Sequence, residues 1–188
     1  MSYEVIAIGA SWGGLNAVST LLGGLSAEVD QAIVLAQHRG PDAQRGSLAR
    51  LLQRHTERRV AEPQDKEEIE RGHVYVAPAD YHLLVEDGHF SLSTDERVQF
   101  ARPSIDVLFE SVAEVYRERA IGIVLTGANE DGARGLAAIK QRGGVAIVQD
   151  PGSAARRDMP DAAIAAADTD AILELEEIPK FLHGLCCE

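Results

Sequence analysis

Val5-Ile6-Ala7-Ile8-Gly9-Ala10-Ser11-Trp12-Gly13-Gly14 decides the fold. A short apolar run stopped by glycine is the mark of a strand buried on both faces. Gly9-x-Ser11-x-Gly13 is the pattern that turns such a strand sharply into a helix and leaves the serine hydroxyl exposed at the bend. Leu15, Val18, Leu21 and Leu22 then recur at helical spacing, which predicts a helix from Gly13 closed by Gly23-Gly24. Outward from this unit the pattern repeats. Ala32–Gln37 is a second buried strand, and a helix near 43–56 turns Leu48, Leu51 and Leu52 inward and arginines outward. Residues 74–78 form a strand ended by proline, and residues 82–85 and 90–93 flank Asp87-Gly88, a hairpin signal. Pro103-Ser104 opens a helix with Ile105, Leu108, Val112 and Val115 on one face. A strand at 121–125, a helix from Asp131 to Gln141, and strands at 145–149 and 171–175 complete the series. Strand and helix alternate nearly throughout. The fold class is therefore α/β: a doubly wound, mainly parallel sheet with helices on both faces and one inserted antiparallel hairpin.

The composition fits a single domain, 1–188. The chain is 45% hydrophobic and 26% charged, which excludes wholesale disorder. No apolar run reaches the roughly 18 residues of a membrane span, and no signal peptide is legible. Cys186 and Cys187 are adjacent at the tail, so there is no disulfide framework and a reducing cytoplasm is expected. A net charge of −12 argues against a nucleic-acid binder. That charge is unevenly spread: between Arg39 and Arg59 six arginines face only Asp42 and Glu57. The stretch is either a solvated helix face or a docking patch for an acidic partner, with Arg50, Arg54 and Arg58 as its candidates.

In sheets of this kind ligands gather at the carboxyl ends of the strands. Ser11 follows the first strand, His38 the second, and Asp131 lies in the glycine-bearing loop after the strand at 121–125. If those strands are neighbours, His38 takes the proton of Ser11 and Asp131 holds the imidazole. The backbone N–H of Trp12, at the start of a helix, would face a developing oxyanion. The order Ser…His…Asp is not that of the α/β-hydrolases, chymotrypsin or subtilisin. Each residue also has a plainer reading, and His38 alone reads as an incidental polar residue in a turn. Gly9-x-Ser11-x-x-Gly14 is one residue from a dinucleotide fingerprint, though its second glycine is serine and no acidic ribose ligand ends the second strand. Asp131 alone reads as a helix N-cap. A nucleotide-binding or catalytically silent regulatory module of the same fold is the alternative.

Six ordered blocks resemble the catalytic domain of the CheB-type protein-glutamate methylesterases. They are Ile8–Gly14, Gln37-His38, Tyr75–Pro78 with His82, Arg102–Phe109 with Ser111, Leu125–Gly127 with Asp131–Ala133, Gly135 and Leu136, and Gln149-Asp150 with Met159-Pro160. The resemblance implies Ser11 as nucleophile, His38 as general base and acid, and Asp131 as the orienting acid. It places backbone N–H groups of Trp12, Gly13 and Ala128 around the oxyanion. It also implies hydrolysis of glutamyl γ-methyl esters on the cytoplasmic helices of chemoreceptors, with methanol released, and in some members deamidation of receptor glutamines. No cofactor or metal is implied, and the six histidines show no metal-ligand spacing.

Three positions depart from the family pattern. Ala128 stands where methionine is usual, Asn129 where glycine follows it, and Asp158 where glycine precedes Met-Pro. Family members typically carry an N-terminal receiver domain that covers the site until phosphorylated. Ser11 comes too soon for one, which predicts a chain without that switch, and Met1 favours a free-standing enzyme.

Overall fold

The computed structural model describes residues 2–187; Met1, on which the expectation of a free-standing chain rests, lies outside them, as does Glu188. Seven strands form the sheet: β1 (Val5–Ala10), β2 (Ala32–Gln37), β3 (Val60–Ala61), β4 (Val74–Val76), β7 (Ala120–Val124), β8 (Val145–Gln149) and β9 (Ala171–Leu173). Strands β5 (His82–Glu86) and β6 (His89–Ser93) pair antiparallel as a separate hairpin across Asp87-Gly88. The sheet order is β3-β4-β2-β1-β7-β8-β9, and every pairing in it is parallel. The helices are α1 (Gly14–Gly24), α2 (Ser47–Leu52), α3 (Ile105–Tyr116), α4 (Ala133–Gln141), α5 (Asp158–Ala166) and α6 (Ile178–Cys187).

Alternation along β1 explains the two layers. Val5 and Ala7 enter the core made with α3, α4, α5 and the hairpin, whereas Ile6, Ile8 and Ala10 enter the core made with α1, α2 and α6. A strand buried on both faces has no polar side, which is why β1, β2 and β7 read as continuous apolar runs. From β1 the chain first winds outward to β2 and β4, then returns to β7 on the other side. That reversal makes the carboxyl ends of β1, β2 and β7 the crevice where a doubly wound sheet receives its ligands.

The structure shortens some of the expected elements and adds others. Leu15 and Leu51 are exposed: the inward stripe of α1 is centred on Ala17, Val18, Leu21 and Leu22, and that of α2 on Leu48, Ala49 and Leu52. Helix α4 starts at Ala133, with Gly132 rather than Asp131 as its N-cap. The two-residue β3 and the helices α5 and α6 have no counterpart in the sequence reading. Helix α5 is alanine-rich with little apolar contrast between its faces, and α6 carries a proline in its first turn.

Gly9 is required by close approach rather than by a turn. A Cβ there would stand 2.3 Å from Ile105 Cγ2, at the point where α3 begins against β1. Gly9→Ala is expected to destabilise the protein by about 1–3 kcal/mol through overpacking. Urea unfolding should show a lower midpoint with an unchanged slope.

Candidate active site

Ser11, His38 and Asp131 come from three different strand ends and meet. Strand β1 pairs with β2 on one side and β7 on the other, so the residues that follow these three strands converge. His38 Nδ1 lies 3.2 Å from Ser11 Oγ, and His38 Nε2 lies 2.6 Å from Asp131 Oδ2. A carboxylate only accepts, so the proton of the neutral ring sits on Nε2 and Nδ1 offers its lone pair to the serine. A serine paired to an imidazole in this way is what acyl transfer needs, and a dinucleotide turn has no use for it.

Each member is locked by its local structure. The sharp bend falls on Gly13, whose φ is 78°, and not on the serine before it. Gln37 Nε2 donates to the carbonyls of Ser11 at 2.8 Å and His38 at 3.1 Å, tying the ends of β1 and β2 together. The N–H groups of Trp12, Gly13 and Ala128 make no hydrogen bond among the described residues. Trp12 itself is exposed. Thr126 Oγ1 lies 2.9 Å from the Trp12 carbonyl and accepts from the Arg156 N–H at 2.9 Å, which joins the loops after β1, β7 and β8.

Asp131 is wholly buried and sits on the N-terminus of α3. It accepts from Ser104 Oγ–H (2.9 Å), the Ile105 N–H (2.7 Å) and the Asp106 N–H (2.9 Å) as well as from His38. Burial works to raise its carboxyl. The His38 hydrogen bond and the two backbone donors outweigh that and hold it below the usual carboxylate range. Its reading as an N-cap of the following helix is thus replaced: it serves the N-terminus of α3, not of α4. Neighbouring Asp106 is shifted the other way, upward, chiefly by burial. Asp106 accepts from the Gly132 and Gly135 N–H groups and from Gln99, so it joins α3 to the start of α4 and to the 97–101 turn.

A cavity of about 320 Å³ opens beside His38, lined by Arg39, Arg97, Gln99, Phe100, Arg102 and Asn129. On its rim, Gln99 and Phe100 take left-handed backbone at φ 48° and 64°, and Phe100 is 95% exposed. Arg102 is clamped by Asp80 and the Thr94 and Asp95 carbonyls, and Arg39 is bound to Glu62 and the Ala77 carbonyl. Of the lining arginines, Arg39 opens the arginine stretch and Arg102 lies in a family-like block; nothing in the spacing of Arg97 or Arg102 places them near His38.

The arginines proposed for docking lie elsewhere. Arg50 is exposed on α2. The Arg58 guanidinium donates to the Ser26 and Val29 carbonyls, in the connection between α1 and β2. That connection is at the amino ends of the strands, the length of α1 (roughly 16 Å) from Ser11. Arg54 and Arg58 line a separate cavity of about 610 Å³ there, with Gly23 and Asp30. The structure does not bring Arg54 and Arg58 to the triad, and Arg58 is committed to backbone.

One departure from the family pattern, Asp158, leaves the geometry of the site untouched. Asp158 is exposed and pairs with Arg156. Met159 packs on Gly127, where a Cβ would stand 2.5 Å from its Cε. Asn129 is not neutral, since its Nδ2 reaches His38 Nδ1 at 3.3 Å. Among the described residues one grouping of metal-type ligands occurs, Glu28, His183 and Cys187, with ligand atoms within 4.8 Å of one another. It includes none of the residues above.

Similarity to known proteins extends over nearly the whole chain. A Leptospira interrogans protein assigned as a protein-glutamate methylesterase/protein-glutamine glutaminase is 50% identical over 186 residues, covering 98% of this chain and 96% of that one. A Vibrio vulnificus protein-glutamate methylesterase/protein-glutamine glutaminase 2 is 39% identical, over 97% of this chain but 54% of its own. The crystal structure of the Thermotoga maritima CheB methylesterase catalytic domain superposes with a TM-score of 0.91 at 32% identity, covering 98% of this chain and 100% of that one. The family model described as CheB methylesterase matches residues 6–182, from β1 into α6, so the chain belongs to that family.

Proposed function

We propose that this chain is a serine esterase that hydrolyses glutamyl γ-methyl esters on the cytoplasmic helices of chemoreceptors. The observation that carries the reading is the Ser11–His38–Asp131 line, closed at 3.2 and 2.6 Å at the crevice of a family fold. Ser11 Oγ attacks the ester carbonyl as His38 Nδ1 takes its proton. The Nε2–H stays bonded to Asp131, whose charge stabilises the imidazolium. The unengaged N–H groups of Trp12, Gly13 and Ala128 are the candidates to bind the oxyanion. His38 returns the proton to methoxide, methanol leaves, and a glutamyl acyl-enzyme remains. Water, deprotonated by His38, then releases glutamate and restores the serine. The same steps on a glutamine side chain release ammonia, which is the glutaminase activity named in the relatives.

Receptor docking is better supported at the rim of the cleft than along α2, because Arg97, Arg102 and Phe100 border the cavity that His38 opens into. Reversing Arg50 and Arg54 to Glu is therefore expected to leave receptor demethylation within about two-fold of wild type, since neither borders the cleft. A slowing of tenfold or more on receptor, with a small ester unaffected, would restore the α2 patch as the docking surface.

Two assays test the activity. A serine-directed fluorophosphonate should label Ser11, as shown by peptide mapping, and labelling should vanish in His38→Ala. Methanol release from methylated receptor membranes should depend on Ser11. A wild-type protein that is folded, unlabelled and inert on receptor would sink the esterase reading.

A further inference from the structure

Two donors converge on one lone pair in this site. Because Asp131 takes the Nε2–H, the neutral His38 ring has a single acceptor position, Nδ1. Ser11 Oγ approaches it at 3.2 Å and Asn129 Nδ2 at 3.3 Å. Both distances are longer than an unshared hydrogen bond of their type, as expected of donors that divide one acceptor. The orientation of the Asn129 amide is not free. Its Oδ1 accepts the Asp131 backbone N–H at 3.2 Å, and an N–H cannot accept, so the oxygen must stay there and the NH₂ must face the imidazole.

We propose that Asn129 is a positioning residue that holds His38 Nδ1 as an acceptor in the resting enzyme and opposes its protonation. The inference rests on the serine-esterase reading above. When Nδ1 receives the serine proton it becomes a donor that faces the donor of Asn129. The amide cannot turn over to meet it without giving up the Asp131 N–H. The proton on Nδ1 is thereby left with the reacting oxygen as its partner, so it is directed onward to the leaving methoxide. Asn129 thus stabilises the base before attack and disfavours an imidazolium that lingers.

Other charged groups near the ring act on the same equilibrium. Asp131, below at Nε2, favours the imidazolium, while Arg39, Arg97 and Arg102 line the cavity on its open side and oppose it. The hydrogen bonds of the three arginines go to Glu62, Asp80 and loop carbonyls rather than to the ring. Among the described residues Asn129 is the group other than Ser11 that touches Nδ1 directly, which gives it an effect separable from the general field.

The test is a three-point series. Asn129→Gly removes the amide. Asn129→Asp keeps an oxygen for the Asp131 N–H and replaces the facing donor with an acceptor. The acidic limb of kcat/KM for methanol release should move to higher pH by about half a unit to one unit in Asn129→Gly, the worth of one net hydrogen bond. In Asn129→Asp it should move further in the same direction. Nitrogen-15 NMR of His38 should report the same order of titration midpoints, whether or not any ester is turned over. Coincident titrations in all three proteins, with activity merely scaled down, would overturn the proposal and leave Asn129 a loop-shaping residue. If the esterase reading were wrong instead, wild type would release no methanol while the NMR series still ordered as described. Thermal melts establish that each variant is folded, and Asn129→Asp, which retains the anchoring bond, covers the case in which Asn129→Gly loosens the loop.

Discussion

Ser11→Ala is expected to reduce methanol release by about 10⁵- to 10⁶-fold, to the limit of detection, because it removes the hydroxyl that lies against the base His38. The hydroxyl lies against His38 and contributes no hydrogen bond to the fold beyond that contact. The variant should therefore melt within about 1 kcal/mol of wild type. It should also still bind methylated receptor, since the cavity wall and the 97–101 turn are untouched. The measurement is single-turnover methanol release beside a thermal melt. A variant that keeps even a hundredth of the wild-type rate would assign the chemistry to another group.

Asp131 is expected to show the second-largest effect, and on two properties at once. Asp131→Asn keeps one acceptor oxygen but puts an NH₂ where either His38 Nε2–H or a buried donor needs a lone pair. Conversion of the acid of a serine triad to its amide costs about 10⁴ in kcat. Asp131→Ala goes further and strands the Ser104 hydroxyl, the Ile105 and Asp106 N–H groups and the His38 N–H without an acceptor. Loss of the charged partner in such a buried cluster costs about 3–5 kcal/mol, enough to threaten folding at 37 °C.

The pH dependence of that stability has a definite sign. The Asp131 carboxyl is held below its ordinary range in the folded protein, so its contribution is complete above pH about 4 and is lost as pH falls through the lowered value. The stability difference between wild type and Asp131→Asn should narrow below pH about 4 in urea titrations. A difference constant from pH 6 to pH 2 would show that the carboxylate charge is not what the α3 N-terminus holds.

Much of this was legible in the sequence because apolar runs and strand ends carry their own meaning. Buried strands such as Val5–Ala10 cannot be mistaken for solvated ones, and their parallel order follows from the helices between them. Ser11, His38 and Asp131 were selected by position at strand ends, and the pairing of β1 with β2 and β7 is what makes them meet. The cleft was not legible in the same way. Arg39, Arg97, Phe100 and Asn129 reach it through loop geometry, including two left-handed residues whose φ values no local pattern announces. The arginine run divides between two places: Arg39, its first member, lines the cavity beside His38, whereas Arg54 and Arg58 line a separate cavity and Arg58 turns back to cap loop carbonyls. Asn129 was visible as a departure from the family pattern, but its meaning came only from the Asp131 N–H that orients its amide.

The assembly of the site from three strand ends also bears on how the molecule acquires activity. Ser11 and His38 are 27 residues apart in the chain and His38 and Asp131 are 93 apart. Contacts of that separation form late, after the loops between them have closed. Docking of β1 on β2 brings the nucleophile to its base, but the base stays unoriented until β7 and the N-terminus of α3 arrive from the second half of the chain. In a refolding experiment, then, helical signal should return before any esterase turnover, and turnover should return in step with closure of the β1–β7 pair.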